Sequence, residues 1–156
     1  MGTTLKEKEQ IMIADPVEAP PAPFKTFQIR PQLVERGKTN TKLAAAGLIS
    51  AGVQVIGSGG ETNLHAHEHQ DAVWLVLSGK VRFYTEGDQE VATIGKFEGL
   101  VIPRGTLYWF ESASEENLVI VRVAATDPRV EAGRTDKGER VSRETLQMKD
   151  GQFFEG

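Results

Sequence analysis

At 156 residues with a formal charge of −4, the chain has the length of one domain and a weakly acidic balance. A net negative surface repels phosphate backbones, no stretch approaches the roughly 20 apolar residues of a membrane-spanning helix, and zero cysteines exclude disulfides and thiolate chemistry. No nucleic-acid or membrane partner is therefore expected, any metal must be held by nitrogen and oxygen, and a cytoplasmic location fits the missing cysteines and the missing basic-then-apolar leader.

Taken in chain order, residues 1–23 read as an extended arm. Alternating charges at Lys6, Glu7, Lys8 and Glu9 give way to Pro16, Pro20, Pro21 and Pro23, whose rings block a helix and a central strand alike. The short apolar patch from Gln10 to Ile13 could pair with a sheet edge. From 24 to 126 the pattern changes to short runs of Val, Ile, Leu and aromatics separated by glycine-containing turns, which predicts an all-β sandwich or barrel. Strands are predicted near 24–29, 43–49, 52–57, 62–67, 72–78, 80–86, 90–94, 100–103, 107–112 and 117–125. Breaks fall at Gly57-Ser58-Gly59-Gly60, Ser78-Gly79, Glu86-Gly87-Asp88 and Pro103-Arg104-Gly105. Residues 127–156 read as a charged C-terminal tail able to pack back on the barrel, with a short helix from Ser142 and an apolar Phe153-Phe154 end.

The chemistry is concentrated in the run Gly60-Glu-Thr-Asn-Leu-His65-Ala-His67-Glu-His69-Gln-Asp71-Ala72-Val-Trp74. Side chains alternate along a strand, so His65 and His67 point to one face. If that face is the interior, two imidazoles converge where water is scarce, ready to hold a divalent metal ion such as Fe, Mn, Ni, Cu or Zn. His69 extends the alternation and could serve as a third ligand or lie in an exposed loop. Asp71 is either a ligand or a rim carboxylate that holds the turn.

Two stretches in order resemble the paired motifs of the cupin superfamily. The first motif is glycine, five residues, His-x-His, three or four residues, glutamate, six residues, glycine; Gly59, His65, His67 and Gly79 match it. The second is glycine, five residues, Pro-x-Gly, two residues, histidine; Phe97, Pro103, Gly105 and Tyr108 occupy its positions. Counting back from Gly79 puts the family's glutamate at Ala72, while the shorter gap from His67 reaches Asp71. Tyr108 stands where the second motif places its histidine, and Phe97 stands for the opening glycine.

The resemblance implies a double-stranded β-helix, the cupin or jelly-roll barrel, with extended N-terminal and C-terminal arms and a homodimeric assembly. For function it implies a metal-dependent enzyme of dioxygenase, isomerase, cyclase or lyase type acting on a small organic molecule. His65 and His67 would hold the metal, with Asp71 or His69 as the third ligand. Tyr108 would be the catalytic acid or substrate anchor, and Trp74 an apolar wall of the substrate pocket. The alternative is a non-enzymatic small-ligand-binding or sensor barrel without a catalytic metal. A third reading, a metal-independent epimerase, would pair a histidine base with Tyr108 as the acid. Arg82 and Arg104 read as surface charges.

Overall fold

The computed structural model describes residues 24–137. The predicted arm over 1–23, the helix from Ser142 and the Phe153-Phe154 end lie outside them. No helix among the described residues is long and apolar enough to cross a membrane.

Two antiparallel layers build the fold. In the first, β1 (Lys38–Ala45) and β2 (Ile49–Ile56) form a hairpin; β2 pairs with β9 (Leu118–Thr126), β9 with β4 (Gln70–Ser78), and β4 with β7 (Gly99–Ile102). The second layer holds β6 (Glu90–Ile94), β5 (Val81–Tyr84) and β8 (Trp109–Ser112), beside a short ladder of β3 (His65–His67) and β10 (Arg134–Asp136). A bridge between His65 and Tyr108, with reciprocal backbone bonds of 3.0 and 2.9 Å, joins β3 to β8. The second layer therefore runs β10-β3-β8-β5-β6, and the whole is the expected all-β double-stranded β-helix.

Strand β4 shows why these residues fold this way. Ala72, Trp74 and Val76 are buried, while Val73 and Leu75 between them are 48% and 39% exposed. That alternation is what a half-buried strand requires. Its inner residues meet Phe83, Phe110, Leu118 and Ile120 in the main core, where the Trp74 and Phe110 rings sit 5.1 Å apart nearly edge to face. Burying each large side chain contributes roughly 1.5–3 kcal/mol, so this cluster is the principal stabiliser. Gly79, which ends the first motif, has φ 75°, and a Cβ there would stand 2.8 Å from the Asn117 carbonyl oxygen. Only glycine meets both demands. On the outer face, Val53, Val55 and Val119 are covered by Ile29 and Val34, and the Asn117 side chain clamps the Val34 N–H and C=O at 2.7 Å each.

Three strand expectations need correction. Residues 24–29 pair with nothing as a strand and instead belong to the segment that covers the outer face. The strand expected at 43–49 spans a turn: β1 begins earlier, at Lys38, and the chain reverses at Ala46-Gly47-Leu48. Lys38, Asn40 and Lys42 occupy its inward positions, so an apolar-seeking pattern passes over it. In the segment read as a charged tail, Arg134–Asp136 forms the edge strand β10, against the histidine strand. Its charges sit comfortably there because an edge strand faces water.

Candidate functional site

Strand β3 supplies the site's centre. His65 is 3% exposed and its Nδ1 lies 2.7 Å from the Asn63 carbonyl oxygen. A carbonyl only accepts, so Nδ1 carries the proton and Nε2 keeps its lone pair. Burial drives the pKa of His65 down to about 4, with the Asn63 bond opposing it and the Arg134 charge reinforcing it. His67 shares the face, its ring 5.1 Å from that of His65 and at right angles to it. Its pKa also falls to about 4, through burial first and then the charges of Arg122, His65 and Arg134. Both imidazoles are therefore neutral at pH 7.

Tyr108 lies across the β3–β8 bridge, buried, with its ring 4.4 Å from His65. Burial raises its pKa, although the Arg122 and Arg134 charges pull the other way, so it is a neutral hydroxyl and a hydrogen-bond donor. Trp74 is buried beside it with 6.3 Å between rings. Arg122 and Trp74 both approach the Tyr108 oxygen closely enough to favour its ionised form. Neither contact reaches hydrogen-bond geometry for Trp74 Nε1 or Arg122 Nε, and both atoms are buried without a partner.

The two candidates for a third metal ligand do not join the pair. Asp71 is one residue from the inward Ala72 and so faces the other way. There its carboxylate accepts the Arg104 N–H at 2.9 Å and pairs with the Arg104 guanidinium at 3.0 Å, which holds its pKa down. Arg104 also pairs with Asp127, so this trio fixes the loops at the barrel rim. His69 sits in the β3–β4 turn, its ring 6.3 Å from His67 and its Nδ1 engaged by the Gly133 backbone at 3.1–3.2 Å. It anchors the segment leading to β10. Arg82 faces Glu90 and Glu111 on the outside.

Among the described residues, no three His, Cys, Asp or Glu side chains come together to hold a metal ion. Ala72 and Tyr108 stand at the positions where the resemblance would place an acid and a third imidazole, and Arg122 and Arg134 add positive charge. Two nitrogens in a cationic setting fall short of the three protein ligands that a catalytic zinc site uses.

Sequence reasoning missed Arg122. It occupies an inward position of β9, in step with Leu118, Ile120 and Ala124, directly opposite Trp74 on one side and Gly52 on the other. A lone charge on an otherwise apolar strand face was the available signal. Its guanidinium lies 5.7 Å over the Trp74 ring and donates to Gln70 Oε1 at 2.8 Å.

Comparison with known proteins agrees with this architecture. The cupin-domain family profile matches residues 52–124, the block that holds both motifs. No curated protein sequence matches the chain. Among solved structures, an uncharacterized conserved protein with a double-stranded β-helix domain from Klebsiella pneumoniae superposes with a TM-score of 0.58 at 18% identity, covering 69% of this chain and 84% of that one. KdgF from Halomonas gives 0.53 at 18% identity, covering 67% and 90%. The cupin domain of Schizosaccharomyces pombe Cnp3 gives 0.53 at 19%, covering 65% and 69%. With both motifs in order, the family profile over the same block and the same barrel in its structural neighbours, residues 52–124 are a cupin domain.

Proposed function

We propose that this cupin binds a small organic molecule against His65, His67, Tyr108 and Trp74, without a resident catalytic metal. One observation carries the reading: buried donors at Trp74 Nε1 and Arg122 Nε have no partner, beside two neutral imidazoles and a neutral phenol. A buried donor left unsatisfied costs about 1–3 kcal/mol, a cost that a ligand acceptor removes. His65 Nε2 offers the complementary acceptor, with its tautomer already set by Asn63.

Proton transfer is a second reading, and the packing of the His65 and Tyr108 rings, with centroids 4.4 Å apart, favours it. A neutral imidazole takes a proton and a neutral phenol gives one, so the pair could serve an isomerase or lyase on the bound molecule. Tyr108→Phe separates the two readings, since ring volume is kept and only the hydroxyl is lost. Turnover reduced by roughly a hundredfold or more with binding retained would establish catalysis. Binding weakened with no turnover in either protein fits the binding reading.

Elemental analysis of untagged protein tests the reading as a whole. Less than stoichiometric metal after incubation with Fe, Mn, Ni, Cu and Zn is expected. One ion per chain, lost in His65→Ala and His67→Ala, would overturn the proposal in favour of the metal-dependent enzyme.

A further inference from the structure

On the β1 side of the five-stranded sheet the inward face is polar, although the same face further across is apolar core. Asn40 on β1 pairs with Gln54 on β2, and Lys42 pairs with Gly52, which pairs in turn with Arg122 on β9; Lys38 and Ser50 share the same face. A cleft of about 330 Å³ opens there, lined by Asn40, Lys42, Gln54 and Arg122 among others. That volume is at the small end of ligand sites.

The charges on this face are all of one sign. Lys38, Lys42 and Arg122 stand on it, and no acidic residue takes an inward position in the sheet, although the chain as a whole carries −4. Burial lowers the pKa of both Lys38 and Arg122. A guanidinium nevertheless stays charged in a protein. No carboxylate among the described residues pairs with Arg122; its hydrogen-bond acceptor is the neutral Gln70 amide. An uncompensated charge at a half-buried position is costly, and low-dielectric walls concentrate its field on whatever enters. Gln54 Oε1, one of the cleft's lining groups, is also buried without a partner. Gly52, opposite Arg122, contributes no side chain to fill the space.

We infer that this cleft binds the carboxylate of a small organic acid, with Arg122 as its buried anchor, Lys42 as the cation at its mouth and Gln54 as the acceptor for a hydroxyl or N–H of the same ligand. The inference rests on the ligand-binding reading above and specifies the substrate class of that site. Arg122 joins the two regions, since its charge acts on both His67 and Tyr108. A carboxylate on Arg122 thus places the rest of the molecule toward the imidazoles.

The test is calorimetric titration of the full-length protein, in chelator-treated buffer, with malonate and succinate against malonamide and succinamide. The acids are expected to bind and their uncharged amides to bind at least roughly thirtyfold more weakly, the low end for losing one member of a buried charge pair. Arg122→Gln should cost the acids a similar factor, and raising the salt concentration should weaken them in the wild type. Should Arg122→Gln fail to fold by circular dichroism, Lys42→Gln and the salt dependence decide; affinity unchanged by both overturns the inference. Amides binding as well as acids overturn it too, while leaving the pocket reading intact. Acid binding that needs Arg122 yet is indifferent to His65→Asn, His67→Asn and Tyr108→Phe refutes the pocket reading and keeps the anion site. Failure of every probe to bind at millimolar concentration overturns both.

Discussion

Lowering the pH from 7.5 to 5 should destabilise this barrel through His65 and His67 before the depressed carboxylates of Asp71, Asp127 and Asp136 are affected. Both imidazoles titrate at about 4 in the folded chain, against 6.5 when unperturbed. A base whose folded pKa is depressed binds fewer protons folded than unfolded between those two values. Stability is therefore complete above about 6.5, falls as the pH drops toward 4, and loses nothing further from these groups below that. The full gap amounts to about 3 kcal/mol for each histidine, and at pH 5 about 2 kcal/mol of it is already gone. The two rings repel when charged, so they titrate as a pair and the individual values do not simply add. Depressed carboxylates work in a lower window: Asp71, Asp127 and Asp136 lie below 3.8 when folded, so their contribution disappears only as pH falls through that range. Urea unfolding at half-unit steps from pH 7.5 to 5, with chelator present throughout, isolates the histidines. The wild type should lose roughly 2–4 kcal/mol over the interval. His65→Asn and His67→Asn should each flatten the profile by about half and together nearly abolish it, since Asn is polar but does not titrate. A double variant as pH-sensitive as the wild type, or a wild type flat down to pH 5, would refute the reasoning.

Other outcomes follow from single residues. Phe97 has φ 66°, the left-handed region that the motif's usual glycine enters freely; Phe97→Gly is expected to be about 1 kcal/mol more stable than Phe97→Ala in urea unfolding, because both remove the ring and only alanine keeps the strain. Asp71→Ala should leave ligand affinity unchanged while loosening the Arg104 loop, seen as faster amide exchange at residues 104–106; a lost ligand would reinstate Asp71 in the site. The expected homodimer would cover the outer apolar patch of Val73, Val101 and Val123, which are 48%, 63% and 37% exposed. Val101→Glu should then shift the mass in sedimentation equilibrium toward the monomer, and an unchanged dimer would place the interface elsewhere.

The parts of this fold legible in the sequence are those whose inner face is apolar. Strand β4 alternates Ala72, Trp74 and Val76 with outward side chains, and Gly79 ends it, so position and facing both follow from the pattern. The His-x-His run was legible for the same geometric reason, as period two puts both rings on one face. Strand β1 was not, because Lys38, Asn40 and Lys42 put polar groups inward where the reading looks for apolar ones. Strand β10 is too short and too charged to register as a strand at all, and its partnership with β3 spans nearly seventy residues of sequence. Asp71 and His69 have metal-ligand spacing on paper. Their roles as an Arg104 partner and a Gly133 anchor depend on loops brought together only by the fold.

These omissions share a physical cause, and it bears on function. A barrel this small could bury more apolar surface by placing leucine or isoleucine at 38, 42, 54 and 122, as it does at 56, 118 and 120 of the same sheet. It instead keeps charges and unpaired amide and indole groups there, against the tendency of every buried polar atom to find a partner. Trp74 and Tyr108 mark the boundary: both belong to the apolar core, while Trp74 lies under the Arg122 guanidinium and Tyr108 lies against the His65 ring. An aromatic with a polar tip suits that place, because its ring packs on one side and its N–H or O–H is presented on the other. Local rules of patterning fail most where a protein carries a functional site. Here β1 and Arg122, both passed over by the pattern, share the inward face of one sheet, where the ligand is assigned.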